Sequence, residues 1–126
     1  MARQTYFPGE LSVTSGFSPV TRVGQIIFVS GQVGVDGTGK IAGDDCGSQA
    51  EKCLNNIQIA LKNAGAELSD ITKITTFLVN MDDYPAYAAV RLKWFPANGP
   101  ASSTVGVNAL VRPEFLIEIE AVAVLP

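Results

Sequence analysis

Hydrophobic positions along the chain follow two spacings, one typical of strands and the other typical of helices. Residues 26–29 are consecutive apolar residues inside the segment 25–35, which indicates a strand with apolar side chains on both faces. Other apolar runs predict further strands at residues 20–23, 71–80, 103–110 and 115–125. The turn signal Asp36-Gly37-Thr38-Gly39 predicts a hairpin that returns through residues 40–42, which gives a sheet of six strands.

Helical spacing is clearest in residues 47–64. The apolar positions of this segment recur at intervals of three and four, as expected for one buried face, and are Ala50, Cys53, Leu54, Ile57, Leu61 and Ala64. Asp44 or Asp45 is suited to cap the start of this helix, and Gly65 is suited to end it.

A second, shorter helix is predicted to follow Asp82-Asp83 and to stop at residues 95–96. The acidic pair is interpreted as the cap of this helix, and Pro85 falls in the first turn, where proline is tolerated. Its apolar stripe consists of Tyr87, Val90 and Trp94.

The order of these elements predicts an α+β fold in which one sheet carries two helices. A chain of 126 residues fits a single domain that covers residues 1–126. Two helices cover only one face of a sheet, yet the strand at residues 26–29 places apolar side chains on both faces. The second apolar face predicts contact with another copy of the chain, with functional sites at the seams between subunits.

The charge balance and the amino-acid content exclude several classes of function. The net charge is −3 and no cluster of Lys and Arg occurs, which argues against nucleic-acid binding. No signal peptide or membrane-spanning run is evident, so a cytoplasmic protein without membrane contact is expected. Cys46 and Cys53 are too far apart along one helix for a disulfide and are expected to be buried thiols.

The chain contains no histidine, which removes the commonest general base and makes a metal centre unexpected. Chemistry therefore rests on carboxylates, Lys, Tyr, hydroxyls or backbone groups. Glu118 and Glu120 share one face of the last strand with apolar neighbours, where burial would raise a carboxyl pKa, although a solvated face is the alternative. Ser30-Gly31 ends a buried strand and either approaches a ligand or forms an ordinary bulge.

Several of these segments, taken in order, resemble the Rid family (reactive intermediate deaminases, also called YjgF-like or L-PSP proteins). The matching segments cover nearly the whole chain and read VGQIIFVSGQVGVD, LNNIQIALKNAGAELSDITKITTFLVNMDDY and PASSTVGVNALVRPEFLIEIEAVAV. The resemblance implies a chorismate-mutase-like subunit, with one six-stranded mixed sheet and two helices on one face, that assembles as a homotrimer. It also implies hydrolysis of a small imine or enamine metabolite to a keto acid and ammonia, without a metal or organic cofactor.

The resemblance implies roles for particular residues. Glu118 would position the attacking water, and Ser30-Gly31 would assist through the backbone. The tyrosine of the family's cleft corresponds to Phe17, and the arginine that clamps the substrate carboxylate corresponds to Ser102.

The missing arginine leaves several functions open. Ser102 and Thr104 would recognise a neutral or hydroxylated group, so that a hydrolase of this kind acts on a different imine or enamine. Alternatively the protein is a non-catalytic trimer that binds a metabolite or a protein partner, or a standard deaminase whose cationic anchor is displaced to Arg112 or Arg91. An asparagine of the family's second helix corresponds to Ala88. A ribonuclease, which the family's older name suggests, is disfavoured by the acidic, histidine-free composition.

Overall fold

A six-stranded mixed sheet with two helices on one face forms the molecule, as predicted. The structure is a computed structural model that describes residues 1–12 and 15–126. The strands are β1 (Gln4–Tyr6), β2 (Val20–Val23), β3 (Ile26–Val33), β4 (Ile71–Leu78), β5 (Ala101–Gly106) and β6 (Ile117–Val124). They lie in the order β1-β2-β3-β6-β4-β5, and β4 and β5 run parallel while all other neighbours are antiparallel.

The two helices are α1 (Cys46–Asn63) and α2 (Tyr84–Trp94). All six residues of the predicted α1 stripe are buried, so the period of the apolar residues identified the packed face correctly. Asp45 caps α1, because its carboxylate accepts a hydrogen bond from the Ser48 amide at 2.9 Å. Gly65 follows the end of the helix with a φ of 90°, a left-handed conformation that favours glycine. In α2, Tyr87 is fully buried.

The sixth strand is β1, and the return strand predicted at residues 40–42 is wrong. Asp36 accepts hydrogen bonds from the Thr38 amide at 2.8 Å and the Lys40 amide at 3.1 Å, which folds the segment into a tight loop. A single bridge between Val35 and Ile41 is the pairing that results. β1 escaped prediction because three residues, QTY, carry no hydrophobic period.

The range of β5 and the cap of α2 also differ from the prediction. β5 spans residues 101–106 and not 103–110, because it pairs in register with β4 and both strands end together at Leu78 and Gly106. Of the predicted capping pair Asp82-Asp83, Asp83 stands at the N-cap position of α2, as predicted, but its side chain makes no capping hydrogen bond. Both residues lie in a 3₁₀ turn, Met81–Asp83, that precedes α2. Asn80 caps that turn by accepting a hydrogen bond from the Asp82 amide at 2.9 Å.

The two faces of the sheet differ in exposure, which follows from the alternation of side chains along each strand. Ile27 and Val29 pack under the helices, whereas Ile26 and Phe28 are 44% and 49% exposed on the opposite face. Val124, paired with Ile26, is exposed on this open face as well. The single chain therefore leaves an apolar sheet face uncovered. In the described part of the chain, no helix is long and apolar enough to cross a membrane.

Candidate functional site

A bulge in β3 brings Gly31 against Glu118. The β3–β6 register runs from Val29 opposite Ala121 to Gln32 opposite Ile119, so β3 holds one extra residue at Ser30-Gly31. A Cβ atom on Gly31 would overlap the Glu118 carboxyl group. The glycine is therefore what lets the carboxyl group pack directly against the bulged backbone.

The bulge forms one wall of a cavity of about 700 Å³. Five of the predicted site residues line this cavity, namely Phe17, Ser30, Gly31, Arg112 and Glu118. The Ser30 hydroxyl donates to the Ser18 carbonyl at 2.6 Å, and the Ser30 amide donates to the Pro19 carbonyl at 2.9 Å. These bonds fix the turn, and they leave the Ser30 hydroxyl oxygen as an acceptor.

Glu118 is the half-buried acid of the cavity. Burial raises the pKa of its carboxyl group above the ordinary value, and the nearby charge of Glu120 raises it further. Glu120 is exposed and lines the same cavity. A carboxyl group with a raised pKa is suited to accept a proton from water and to return it during one reaction cycle.

Arg112 contributes the cation of this cavity. Its Nε atom donates to Glu114 Oε1 at 2.8 Å, and its Nη1 atom donates to the Gly39 carbonyl at 3.1 Å. The guanidinium carbon also lies 4.7 Å from the centre of the Phe115 ring. The side chain is thus held at the cavity wall, with its charge partly balanced by Glu114.

Ser102 and Thr104 do not line the cavity that holds Glu118. They pair with Ile74 and Thr76 of β4, whose side chains are buried beneath the helices, so they belong to the helix-covered face. Glu118 belongs to the opposite face. Ser102 lines a second cavity, of about 350 Å³, together with Ala88 and Arg91. Within one chain, the sheet separates Ser102 from Glu118.

Gln49 is a positioning residue that the sequence analysis missed. Its side chain is fully buried, with Nε2 donating to the carbonyls of Gly43 and Glu114, both at 3.0 Å. Its Oε1 accepts from the Leu116 amide at 2.8 Å. These bonds hold the segment that carries Arg112. A signal was present, because Gln49 lies four residues before Cys53 on the buried face of α1.

Neither cysteine is suited to nucleophilic chemistry. Cys46 and Cys53 are free and buried, as expected. Burial raises the pKa of the Cys46 thiol to about 11 and raises that of Cys53 as well, so both stay protonated near neutral pH. Among the residues that the structure describes, no group of three or more His, Cys, Asp and Glu side chains could hold a metal ion.

Comparison with known proteins places this geometry in a family. The family model described as endoribonuclease L-PSP matches residues 8–125. A 3-aminoacrylate deaminase RutC of Acinetobacter baylyi is 37% identical over 108 residues, which cover 85% of this chain and 85% of that protein. A 2-iminobutanoate/2-iminopropanoate deaminase of Dermatophagoides farinae is 31% identical over 110 residues, covering 86% and 85%. The solved structure of the YjgF gene product of Escherichia coli superposes with a TM-score of 0.88 and 30% identity, covering 96% and 98%. The chain therefore belongs to the endoribonuclease L-PSP family, which is the Rid family that its sequence resembles.

Proposed function

We propose that the protein hydrolyses an imine- or enamine-type metabolite to a carbonyl compound and ammonia, without a cofactor. The observation that carries the proposal is Glu118, a half-buried carboxyl group with a raised pKa that packs against the Gly31 bulge in a cavity of about 700 Å³. Relatives named as deaminases of 3-aminoacrylate and of 2-iminobutanoate support the same reaction class.

Glu118 would act as general base and then as general acid. It accepts a proton from water while the water oxygen forms a bond to the imine carbon and the C=N electron pair moves to nitrogen. The proton then passes from Glu118 to that nitrogen, which gives a carbinolamine. Glu118 next takes the proton of the carbinolamine hydroxyl group and passes it to the nitrogen, so that the C–N bond breaks, ammonia leaves with the electron pair of that bond, and the carbonyl forms. An enamine first takes up a proton at carbon to become the imine. Water is the only co-reactant, so the overall reaction balances as imine plus water giving carbonyl plus ammonia.

The working unit in this proposal is a homotrimer with clefts between neighbouring copies. Two features support a site shared between copies. The open sheet face exposes Ile26 and Phe28, which a second copy would cover. Ser102 and Glu118 lie on opposite faces of one sheet, so a site that uses both needs residues from two copies.

The substrate in this proposal differs from 2-iminopropanoate because residue 102 carries a hydroxyl group and no cation. A hydrogen bond to a charged group contributes about 1.5–3 kcal/mol. Losing the two bonds of a guanidinium clamp therefore weakens binding of a carboxylate at this position by roughly two to four powers of ten. Ser102 and Thr104 would instead offer hydroxyl groups at this part of the cleft.

The test is keto-acid formation from 2-aminoacrylate, generated in situ by a PLP-dependent dehydratase, at matched protein concentrations. We expect the wild type to be close to the buffer rate and Ser102→Arg to be faster. Ser69→Arg is the matched control, because Ser69 is exposed and lines neither cavity. A wild type that already equals Ser102→Arg would refute the role given to Ser102. If neither protein accelerates hydrolysis of any imine or enamine in a wider panel, the chain is a binding trimer and not a hydrolase.

A further inference from the structure

Among the described residues that line the cavity between α2 and β5, Arg91 is the single charged side chain. The remaining wall is formed by apolar or small residues, among them Ile74, Leu92 and Phe95, and by the Ser102 hydroxyl group. No carboxylate belongs to the described lining of this cavity, in contrast to the cavity that holds Glu118 and Glu120. The local charge at the α2–β5 cavity is therefore positive in a chain that is negative overall.

Arg91 is held in place by two tyrosines. Its Nη2 atom donates to the Tyr84 hydroxyl at 3.0 Å. Its guanidinium carbon lies 5.5 Å from the Tyr84 ring centre and 5.0 Å from the Tyr87 ring centre, within the range of cation–π attraction. Tyr87 is itself fixed, because the Thr76 hydroxyl donates to the Tyr87 hydroxyl at 2.6 Å. The cation is thus positioned before any ligand arrives.

Arg91 lacks an acidic partner among the described residues. Lys93 pairs with Glu51 and Arg112 pairs with Glu114, each at 2.8 Å. Arg22 donates to two backbone carbonyl groups, those of Gly24 and Ala64. Within residues 1–12 and 15–126, no carboxylate lies within 4.0 Å of Arg91, although the side chain is partly buried. A guanidinium group has five N–H donors in a planar fork, and most of those of Arg91 have no acceptor in the described structure.

We infer that Arg91 makes the α2–β5 cavity an anion-binding pocket, which takes a carboxylate or similar small anionic group of the ligand. The inference rests on the proposed function only in taking that ligand to be the imine or enamine substrate. The substrate is then anionic, and its charge is bound by a residue of helix α2 and not by one of strand β5. Because the binding arginine lies on a different element, this substrate still differs from one whose carboxylate is clamped at residue 102.

Arg112 is the rival anchor, and its surroundings fit the role less well. It is already paired with Glu114 at 2.8 Å, so an incoming anion would have to compete with that ion pair. Arg91 has no such acidic partner among the described residues. Arg91 is therefore the cation better placed to attract an anionic ligand.

The experiment measures equilibrium binding of pyruvate, 2-oxoglutarate and the uncharged pyruvamide by ligand-detected NMR or calorimetry. We expect at least one of the two carboxylates to bind the wild type more tightly than pyruvamide does. Arg91→Gln is expected to weaken that binding roughly 10- to 100-fold, which corresponds to the loss of one charge-assisted bond. Lys93→Gln removes an equal charge two residues along the same helix and is expected to change binding less than threefold. Ser102→Asp places a carboxylate in the cavity without removing Arg91, and it is expected to weaken anion binding even if Arg91→Gln folds poorly.

Unchanged carboxylate binding in Arg91→Gln and Ser102→Asp would overturn the inference. A loss of binding in Arg112→Gln alone would also overturn it, and would assign the anchor to Arg112. These outcomes are separate from the fate of the proposed function, because binding is measured without turnover. If anion binding depends on Arg91 but the protein hydrolyses no imine, the anion-binding pocket is supported and the proposed hydrolase activity is rejected.

Discussion

Replacing Gln49 with leucine removes the side chain that connects α1 to the segment carrying Arg112. Gln49 makes three hydrogen bonds, to the Gly43 and Glu114 carbonyls and from the Leu116 amide. A buried backbone group that loses its partner costs about 1–3 kcal/mol. Glu114 is exposed, so water can reach its carbonyl, and we count only the other two groups. Gly43 and Leu116 are only partly buried, so each group is counted in the lower part of that range, at about 1–2 kcal/mol. Their combined cost is then about 2–4 kcal/mol, from which the greater apolar burial of leucine recovers about 1 kcal/mol.

The expected net loss of stability is therefore about 1–3 kcal/mol. For a chain of this length, that loss corresponds to a fall in Tm of roughly 3–12 °C. The assay is thermal unfolding at fixed protein concentration, because self-association would couple Tm to concentration. Gln58→Leu, the same change at a partly exposed position of α1, is the matched control and is expected to shift Tm by less than about 3 °C.

The variant also tests whether Gln49 positions the site. Loosening the Leu116 amide frees the segment that places Arg112 and Phe115 at the cavity, so turnover should fall even at temperatures where the variant is folded. A Gln49→Leu protein that melts within about 2 °C of the wild type, or no lower than Gln58→Leu, would refute this reasoning.

Three further predictions concern the same cavity and its support. Gly31→Ala should lower turnover at least tenfold with little change in Tm, because the new Cβ atom displaces the Glu118 carboxyl group. Gly9→Ala is the control: a Cβ atom at Gly9 has no other atom within 4 Å, so this variant should change neither turnover nor Tm. Glu118→Gln should raise Tm more at pH 8 than at pH 4. Because the pKa of the Glu118 carboxyl group is raised on folding, wild-type stability falls as pH rises from the unfolded pKa through the folded pKa, and the glutamine variant does not suffer that loss. An equal change in Tm at both pH values would contradict the raised pKa. Thr76→Val should lower the free energy of unfolding by about 1–2 kcal/mol in a denaturant titration, since it leaves the Tyr87 hydroxyl without its donor, and an unchanged midpoint would show that this bond contributes nothing.

Much of the fold was predictable because the spacing of hydrophobic residues within short segments matches the faces that pack in the structure. The α1 stripe followed from spacing alone, and every predicted member is buried. The two-sided apolar character of residues 26–29 correctly indicated that the face holding Ile26 and Phe28 would lack a cover within one chain. Such features depend on alternation and helical period, which are properties of short segments.

Features that depend on long-range pairing were not predictable in the same way. The choice of β1 over residues 40–42 as the sixth strand depends on the Asp36 loop bonds and on pairing with β2. The position of Ser102 on the face opposite Glu118 depends on the parallel register of β4 and β5, which no local pattern encodes. Residues that a family resemblance groups into one site thus lie in two cavities of the single chain.

Ammonia release from a panel of imines and enamines, compared between the wild type and Glu118→Gln, tests the central claim most directly. The imines are generated in situ by an amino-acid oxidase, and circular dichroism verifies that both proteins are folded. We expect the wild type to accelerate hydrolysis of at least one anionic imine or enamine, and Glu118→Gln to return that rate to within about tenfold of buffer, in keeping with the usual contribution of a general base. Equal rates for the two proteins would show that Glu118 does not carry the chemistry, and the proposed mechanism would then be wrong.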